Sequence, residues 1–272
     1  MNTDFLIDYY NKFNEDKRLL SRHGRIEFVN TLRHADIIID RILKENSSKG
    51  MGKNNSDIKI LDIGAGTGAY SGYYSEKGYD VSAVELVKHN ISRLKKKYPL
   101  VKAWQGNALN LKKFEDDSFD ICLLFGPLYH LFTKEDKVRC LQEAKRVTKK
   151  GGYILAAYVM NEYSVIMYAF KENKILECIE HNRLSEDYHT INSENDLYDY
   201  VRIEDINSYN ESAGLERDYI FTPDGAANYM REHLKRMTEE EFAKFVEYQF
   251  VISTRSDLIG AGAHTVDVLK VN

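Results

Sequence analysis

Proline and cysteine are both scarce, with three of each in 272 residues. Cys122, Cys140 and Cys178 lie too far apart for a zinc knuckle, and an odd number suits no closed disulfide framework. Reduced thiols in a cytoplasmic protein are therefore expected. No stretch approaches the ~18 apolar residues of a membrane span, because the apolar segment from Ile121 to Phe132 is broken by Gly126, Pro127 and His130. The first residues, Met1 to Asp8, include an early acid and no uninterrupted apolar run, which argues against a signal peptide. Neither sign of charge dominates: 38 Lys and Arg face 42 Asp and Glu, a net charge of −4. Such a chain has no general attraction to polyanions, so a dedicated nucleic-acid binder is disfavoured. What is present is apolar and aromatic, 43% and 12% of residues respectively. That composition excludes global disorder, and a chain of this length buries roughly three quarters of its unfolded surface. One domain covering residues 1–272 is the expectation.

The apolar pattern is regular in the first half. Phe28, Leu32, Ala35, Ile38, Ile39 and Ile42 recur at steps of three and four, which predicts an amphipathic helix over Glu27 to Leu43. Asn46 to Asp57 is polar and reads as a connector. Strands are then expected at Ile58–Ile63, Tyr79–Glu85, Val101–Gln105, Phe119–Phe125 and Gly152–Val159. Between them come helices closed by Gly78, by Pro99 and by the Gly151-Gly152 pair. After Met160 the rhythm loosens. Asn161 to Tyr200 is mixed, Ile203 to Ala213 is helical ahead of Gly214, and Leu215 to Phe221 is a strand. Asp224 to Ile252 is largely helical, and His264 to Val271 alternates as a last strand. Strands alternating with helices predict an open parallel sheet with helices on both faces.

The chemistry concentrates in Leu61-Asp62-Ile63-Gly64-Ala65-Gly66-Thr67-Gly68-Ala69-Tyr70. Glycines after a parallel strand let a ligand approach the backbone, and the following helix presents its N–H groups. Gly64, Gly66 and Ala69 also satisfy the dinucleotide fingerprint. Glu85 ends the next strand, where a carboxylate can accept both ribose hydroxyls. The loop therefore points to an adenosine-type ligand without naming it. Asp62 would repel a pyrophosphate and suits an amino group. Gln105-Gly106-Asn107-Ala108 follows the third strand, where an adenine edge would lie, and Asn107 can both donate and accept there. The fourth strand runs Phe119-Asp120-Ile121-Cys122-Leu123-Leu124-Phe125 into Gly126-Pro127-Leu128-Tyr129-His130-Leu131.

In the order and spacing of these four segments the chain resembles the class I S-adenosylmethionine-dependent methyltransferases, from about Ile58 to Val159. The resemblance implies S-adenosylmethionine as cofactor and a Rossmann-like, doubly wound α/β fold with a seven-stranded, mostly parallel sheet. It implies that Asp62 and the backbone of Gly64, Ala65, Gly66, Thr67 and Gly68, with Tyr70, hold the methionine part. Glu85 and Leu86 would take the ribose, Asn107 and Ala108 the adenine, and Leu124, Phe125 and Gly126 the floor beside the sulfonium. Asn107 stands where the family more often has Asp. Gly126-Pro127-Leu128-Tyr129 departs from the (N/D)-P-P-Y turn of enzymes that methylate base amines. It implies methyl transfer to a small-molecule N, O or C nucleophile. Tyr129 and His130 either steer a proton or only pack the turn.

Other residues support weaker readings. Arg22, His23, Gly24 and Arg25 either close over a cofactor carboxylate or form a solvated helix end. Lys95 to Lys97 and Lys145 to Lys150 place cations at helix C-termini; an RNA patch is the alternative. Tyr158, Tyr163, Tyr168, Phe170, Tyr219 and Phe221 line an acceptor pocket or belong to the core. His181, His189 and His233 lack metal-ligand spacing, and no metal is expected. Residues 1–45 are expected to cap a cofactor core at 58–160, with acceptor-side inserts at 161–200 and 224–252. A non-enzymatic cofactor binder, an NAD-dependent oxidoreductase and an RNA or protein methyltransferase are the rival readings, and nothing in the sequence fixes the oligomeric state.

Overall fold

The first strand, β1 (Lys59–Ile63), is apolar on both faces because helices cover it from both sides. The computed structural model describes residues 6, 7, 9, 10, 19–48, 54–193 and 196–272. Around β1 the strands β2 (Asp80–Glu85), β3 (Lys102–Gln105), β4 (Phe119–Leu124) and β5 (Thr148–Met160) pair in parallel. Three more follow: β6 (Tyr200–Val201), β7 (Glu216–Phe221) and β8 (His264–Lys270). The sheet order is β3-β2-β1-β4-β5-β8-β7, with β8 antiparallel to both neighbours. Seven strands were expected, and the described residues form eight. The extra one, β6, is a two-residue strand beside the end of β5, too short to leave a period in the sequence.

Successive residues alternate between two cores. Leu61, Cys122, Leu124, Ile154, Ala156 and Tyr158 face one side. There they meet helices α4 (Lys134–Val147) and α7 (Ile203–Ala213). Ile60, Ile121, Leu123, Leu155, Ala157, Val266 and Val268 face the other. That side is covered by α1 (Arg22–Ser48), α2 (Ala69–Glu76) and α3 (Lys88–Lys97). Thus α1 is a layer helix: its stripe Leu32, Ala35, Ile38, Ile39 and Ile42 is buried on the sheet face. Its first turns reach the carboxyl edge of the strands; of the expected cap over residues 1–45, residues 1–5, 8 and 11–18 lie outside those described. Its C-terminal turns extend into the expected connector, of which residues 49–53 lie outside those described.

Of two glycine signals, one acted as expected and one did not. Gly214 closes α7 in the left-handed conformation, as the sequence suggests. The Gly151-Gly152 pair instead lies inside β5, which starts directly after α4, and a Cβ on Gly152 would stand 2.7 Å from the Asp120 carbonyl oxygen. The pair lets β5 run close against β4, where the register shifts between Phe119 and Ile121.

The inserts carry short helices, with α5 (Asn161–Ser164) and α6 (Ile175–Glu180) in the first. Residues 161–193 fold around Val165, Ala169 and Cys178. Over 224–252 stand α8 (Arg231–Leu234) and α9 (Glu239–Ile252), whose Leu234 and Phe242 join Ile26 of α1 in a small core. No helix among the described residues is long and apolar enough to cross a membrane.

Candidate functional site

A cleft opens at the carboxyl ends of β1, β2 and β4, the position such sheets reserve for ligands. Its empty volume, counted to the open mouth and including solvent space, is about 1040 Å³. Asp62, Gly64, Ala65, Gly66, Thr67 and Tyr70 line it from the first turn, and Glu85 and Leu86 from the second. Asn107 and Ala108 line it from the third, and Phe125, Gly126, Tyr129 and His130 from the fourth. Fourteen of the sixteen residues singled out from the sequence therefore share one cleft. Gly68 and Leu124 do not line it. Gly68 caps α2, and a Cβ there would come within 2.7 Å of Leu94 Cγ. Leu124 points into the core beneath the turn, because strand alternation sends it to the face opposite Phe125.

Asp62 ends β1 with only 2% of its surface exposed. Its Oδ2 accepts a short hydrogen bond from the Ser71 hydroxyl of α2. Burial pushes its carboxyl up to about 7, against the Ser71 hydrogen bonds, and the nearby Glu85 carboxylate raises it further. Glu85 is held at both oxygens: Oε2 accepts from the Gly66 N–H at 2.9 Å and Oε1 from the Val87 N–H at 2.8 Å. The carboxylate lines the cleft, where its oxygens can accept from hydroxyl donors.

The glycine turn spends its donors on itself. Gly64 and Ala65 N–H groups donate to the Val84 carbonyl at 2.7 and 3.1 Å, Gly66 donates to Glu85, and Gly68 donates to the Ala65 carbonyl at 2.9 Å. Four N–H groups that would cradle a phosphate are thus engaged, and the turn faces the cleft beside a carboxylate. That polarity suits a cation. Gly64 adopts φ +78°, and a Cβ on it would stand 2.6 Å from Pro127 Cδ. Gly64→Ala is therefore expected to lose about 1–3 kcal/mol of stability from backbone strain alone. Calorimetric ligand titration should also show weaker binding, since Pro127 moves with the turn.

The fourth wall is built around His130. Its Nδ1–H donates to the Leu197 carbonyl at 2.8 Å, which leaves Nε2 to accept from the Tyr10 hydroxyl at 2.9 Å. Tyr10, Tyr129 and Tyr198 ring contacts enclose the imidazole, with centroids 5.5, 4.8 and 5.4 Å away. Burial lowers its pKa to about 4, opposed by the Leu197 bond. Tyr129 donates its hydroxyl to the Phe125 carbonyl at 2.9 Å. Asn107 uses Oδ1 to accept from the Leu109 N–H at 2.9 Å, so its amide nitrogen is the group left to meet a ligand.

Beneath this wall lies Lys137 of α4, 1% exposed. Its ammonium donates to the carbonyls of Leu128, at 2.5 Å, and Leu131 and pairs with Asp199 at 2.8 Å. Burial lowers its pKa, and Asp199 opposes that shift. Val138, Leu141, Ala144 and Val147 set the apolar period of this helix, and Lys137, just ahead of Val138, reads in the sequence as solvent-facing. Tyr10, Leu6 and Leu19 also line the cleft; no local motif marks them.

Residues 61–156 match the family described as "Methyltransferase domain". The match covers about a third of the chain, from β1 into β5, the segment whose motifs resemble the class I S-adenosylmethionine-dependent methyltransferases. A demethylmenaquinone methyltransferase of Paenarthrobacter aurescens is 34% identical over 99 residues, 36% of this chain and 38% of that protein. A malonyl-[acyl-carrier protein] O-methyltransferase of Pectobacterium atrosepticum is 29% identical over 103 residues, 38% of this chain and 39% of the relative. The match thus spans well under half the length of these relatives. Among solved structures, a methyltransferase from Methanosarcina mazei superposes with a TM-score of 0.52 at 19% identity, covering 78% of this chain and 92% of its own. A geranyl diphosphate C-methyltransferase from Streptomyces coelicolor gives 0.52 at 14% identity, covering 89% and 79%. These likenesses establish the shared fold. The family's cofactor is S-adenosylmethionine, and a turn with a buried carboxylate and engaged N–H groups fits its aminoacyl end.

The remaining candidates lie elsewhere. Arg22 ties α1 to the C-terminal insert, donating to the carbonyls of Leu234 and Met237 at 2.7 and 2.5 Å and to Glu239 at 2.5 Å. Arg25 stacks over Phe242, and His23 contacts Ser21. Tyr158 and Phe221 are core residues, while Tyr168 and Phe170 are exposed. Lys145 donates to the Gly214 carbonyl and Lys149 pairs with Asp120.

Proposed function

We propose that this chain transfers the methyl group of S-adenosylmethionine to a small-molecule nitrogen, oxygen or carbon nucleophile. The observation that carries the reading is the convergence of two buried carboxylates, Asp62 and Glu85, on one cleft beside a glycine turn. Asp62 would take the ammonium of the methionine part, Glu85 the ribose hydroxyls and Asn107 the adenine edge. Bound there, the cofactor supplies a sulfonium methyl that is already electrophilic. The chain's part is then to hold a nucleophile in line and to keep water out.

The acceptor side supports a small, partly apolar partner. Leu6, Leu19, Phe125, Pro127 and Leu131 with Tyr10 and Tyr129 give that side of the cleft an apolar and aromatic lining. No lysine or arginine is among the described lining residues, which speaks against a nucleic-acid acceptor. The engaged N–H groups of the turn speak against the pyrophosphate of a dinucleotide. His130, neutral and held at both nitrogens, acts as a wall of the cleft. Its imidazole NMR signals should therefore stay unchanged between pH 6 and 8, and a titration near 6.5 would contradict the arrangement.

The decisive test is calorimetric titration with S-adenosylhomocysteine beside NADH. Binding of the first alone supports the reading; binding of the second alone overturns it. Methylation of small aromatic and amine acceptors with labelled cofactor then separates an enzyme from a cofactor-binding module.

A further inference from the structure

A second polar cluster lies outside the cleft. Glu27 in α1, Asp224 in the loop after β7 and His264 at the start of β8 bring one donor atom each to within 4.8 Å of one another. His264 Nδ1 stands 2.7 Å from Asp224 Oδ2 and 3.8 Å from Glu27 Oε2. Asp224 is wholly buried, and Glu27 is nearly so. A nitrogen and two carboxylate oxygens are the donor set of many divalent transition-metal sites. Tetrahedral bonds of about 2.1 Å place donors about 3.4 Å apart. Small rotamer adjustments bring these three to that separation.

The surroundings support a ligand here in two independent ways. First, the ligand shell is itself held. Asn228 Nδ2 donates to Asp224 Oδ2 at 2.6 Å, the His264 N–H donates to Oδ1 at 3.3 Å, and Arg231 Nε fixes Asn228 Oδ1 at 3.0 Å. Outer hydrogen bonds of this kind orient metal ligands. Second, two sealed amides beside the loop have atoms without partners. Asn30 lies one turn along α1 from Glu27, wholly buried, with its Nδ2 on the Pro223 carbonyl at 2.9 Å and no donor for Oδ1. Gln249 is buried with neither amide atom paired, and its Oε1 lies against Gly225, the residue after Asp224. Buried polar atoms without partners are rare and call for an explanation. Water completing the shell of a metal ion would supply O–H donors to both oxygens.

We propose that Glu27, Asp224 and His264 bind one divalent transition-metal ion of the zinc or manganese class. The ion would take the place of the proton between His264 Nδ1 and Asp224, which leaves to solvent. The site stands on the carboxyl edge of the sheet, since His264 pairs with Val159 at the end of β5. Phe28, next to Glu27 in α1, packs on Tyr70, which packs on Phe125 of the cleft, with centroids 4.9 and 4.7 Å apart. It does not depend on the methyl-transfer reading.

The test is calorimetric titration of the chelator-treated full chain with ZnCl2 and MnCl2. One ion per chain at micromolar Kd or tighter is expected for zinc, with the Glu27→Gln/His264→Gln double variant weaker by about 100-fold or more. That variant should still bind S-adenosylhomocysteine, which verifies its fold. Should it fail to fold, zinc-edge anomalous scattering from wild-type crystals decides instead: a peak between the three side chains is expected. No binding tighter than millimolar, equal affinity in the double variant, or a peak only elsewhere overturns the proposal.

Discussion

Asp62→Asn will abolish most of the cofactor affinity and, with it, the pH dependence of binding. Truncating one partner of a buried, hydrogen-bonded charge pair costs about 2–4 kcal/mol, so the Kd for S-adenosylhomocysteine should rise by roughly 30- to 1000-fold. The pH behaviour follows from burial. In the unliganded protein the Asp62 carboxyl titrates at about 7, while a bound ammonium holds it ionised and so lowers its pKa. The complex therefore carries fewer protons than the free protein below pH 7. Wild-type affinity should strengthen as pH rises toward 7, by up to about tenfold per unit, and level off above it. Asn has no proton to lose, so the variant's affinity should be flat across that window. Stability of the unliganded protein has the opposite sign. The folded carboxyl binds its proton up to about 7, whereas the unfolded one releases it near 4. This group's contribution to stability therefore falls as pH rises between those values, and the Asn variant should lack that slope. Isothermal titration and thermal melts at pH 5, 6, 7 and 8 measure both.

Lys137→Met should produce the largest loss of stability. The substitution leaves Asp199, whose side chain is 12% exposed, without its ion pair. It also strips a donor from the Leu128 and Leu131 carbonyls. Breaking a buried pair by removing one partner costs about 3–5 kcal/mol. At roughly 2–4 °C per kcal/mol for a domain of this size class, Tm should fall by about 10 °C. The damage should be directional. Lys137 pins the turn at Pro127–His130 and, through Asp199, the strand of chain that offers the Leu197 carbonyl to His130. Acceptor binding should suffer more than cofactor binding, whose carboxylates stand on β1 and β2. Adding Asp199→Leu removes the orphaned charge and should restore part of the lost Tm. No recovery in the double variant would show that the pair is incidental to the turn.

These two residues mark the limit of what local pattern reveals. Asp62 was visible because a carboxylate before a glycine turn is a local arrangement, written in adjacent positions. Its titration near neutral pH was not, since that comes from the closure of α2 over it. Lys137 gave no signal at all: its helix was read from Val138, Leu141, Ala144 and Val147. Only the loop carbonyls and Asp199, which a long insert delivers, make a buried ammonium tolerable there.

The sequence by itself determined the alternation of strands and helices, the order of the cofactor-facing turns and the pair of carboxylates ahead of them. All of these depend on the period of apolar residues or on spacing within a few positions. Tertiary structure alone decided that α1 covers a sheet face, that Tyr10 and Leu197 hold His130, and that Glu27, Asp224 and His264 meet. Those contacts join segments from opposite ends of the chain, and burial in the folded interior, which no local window contains, sets the charge and hydrogen bonding of the groups they bring together.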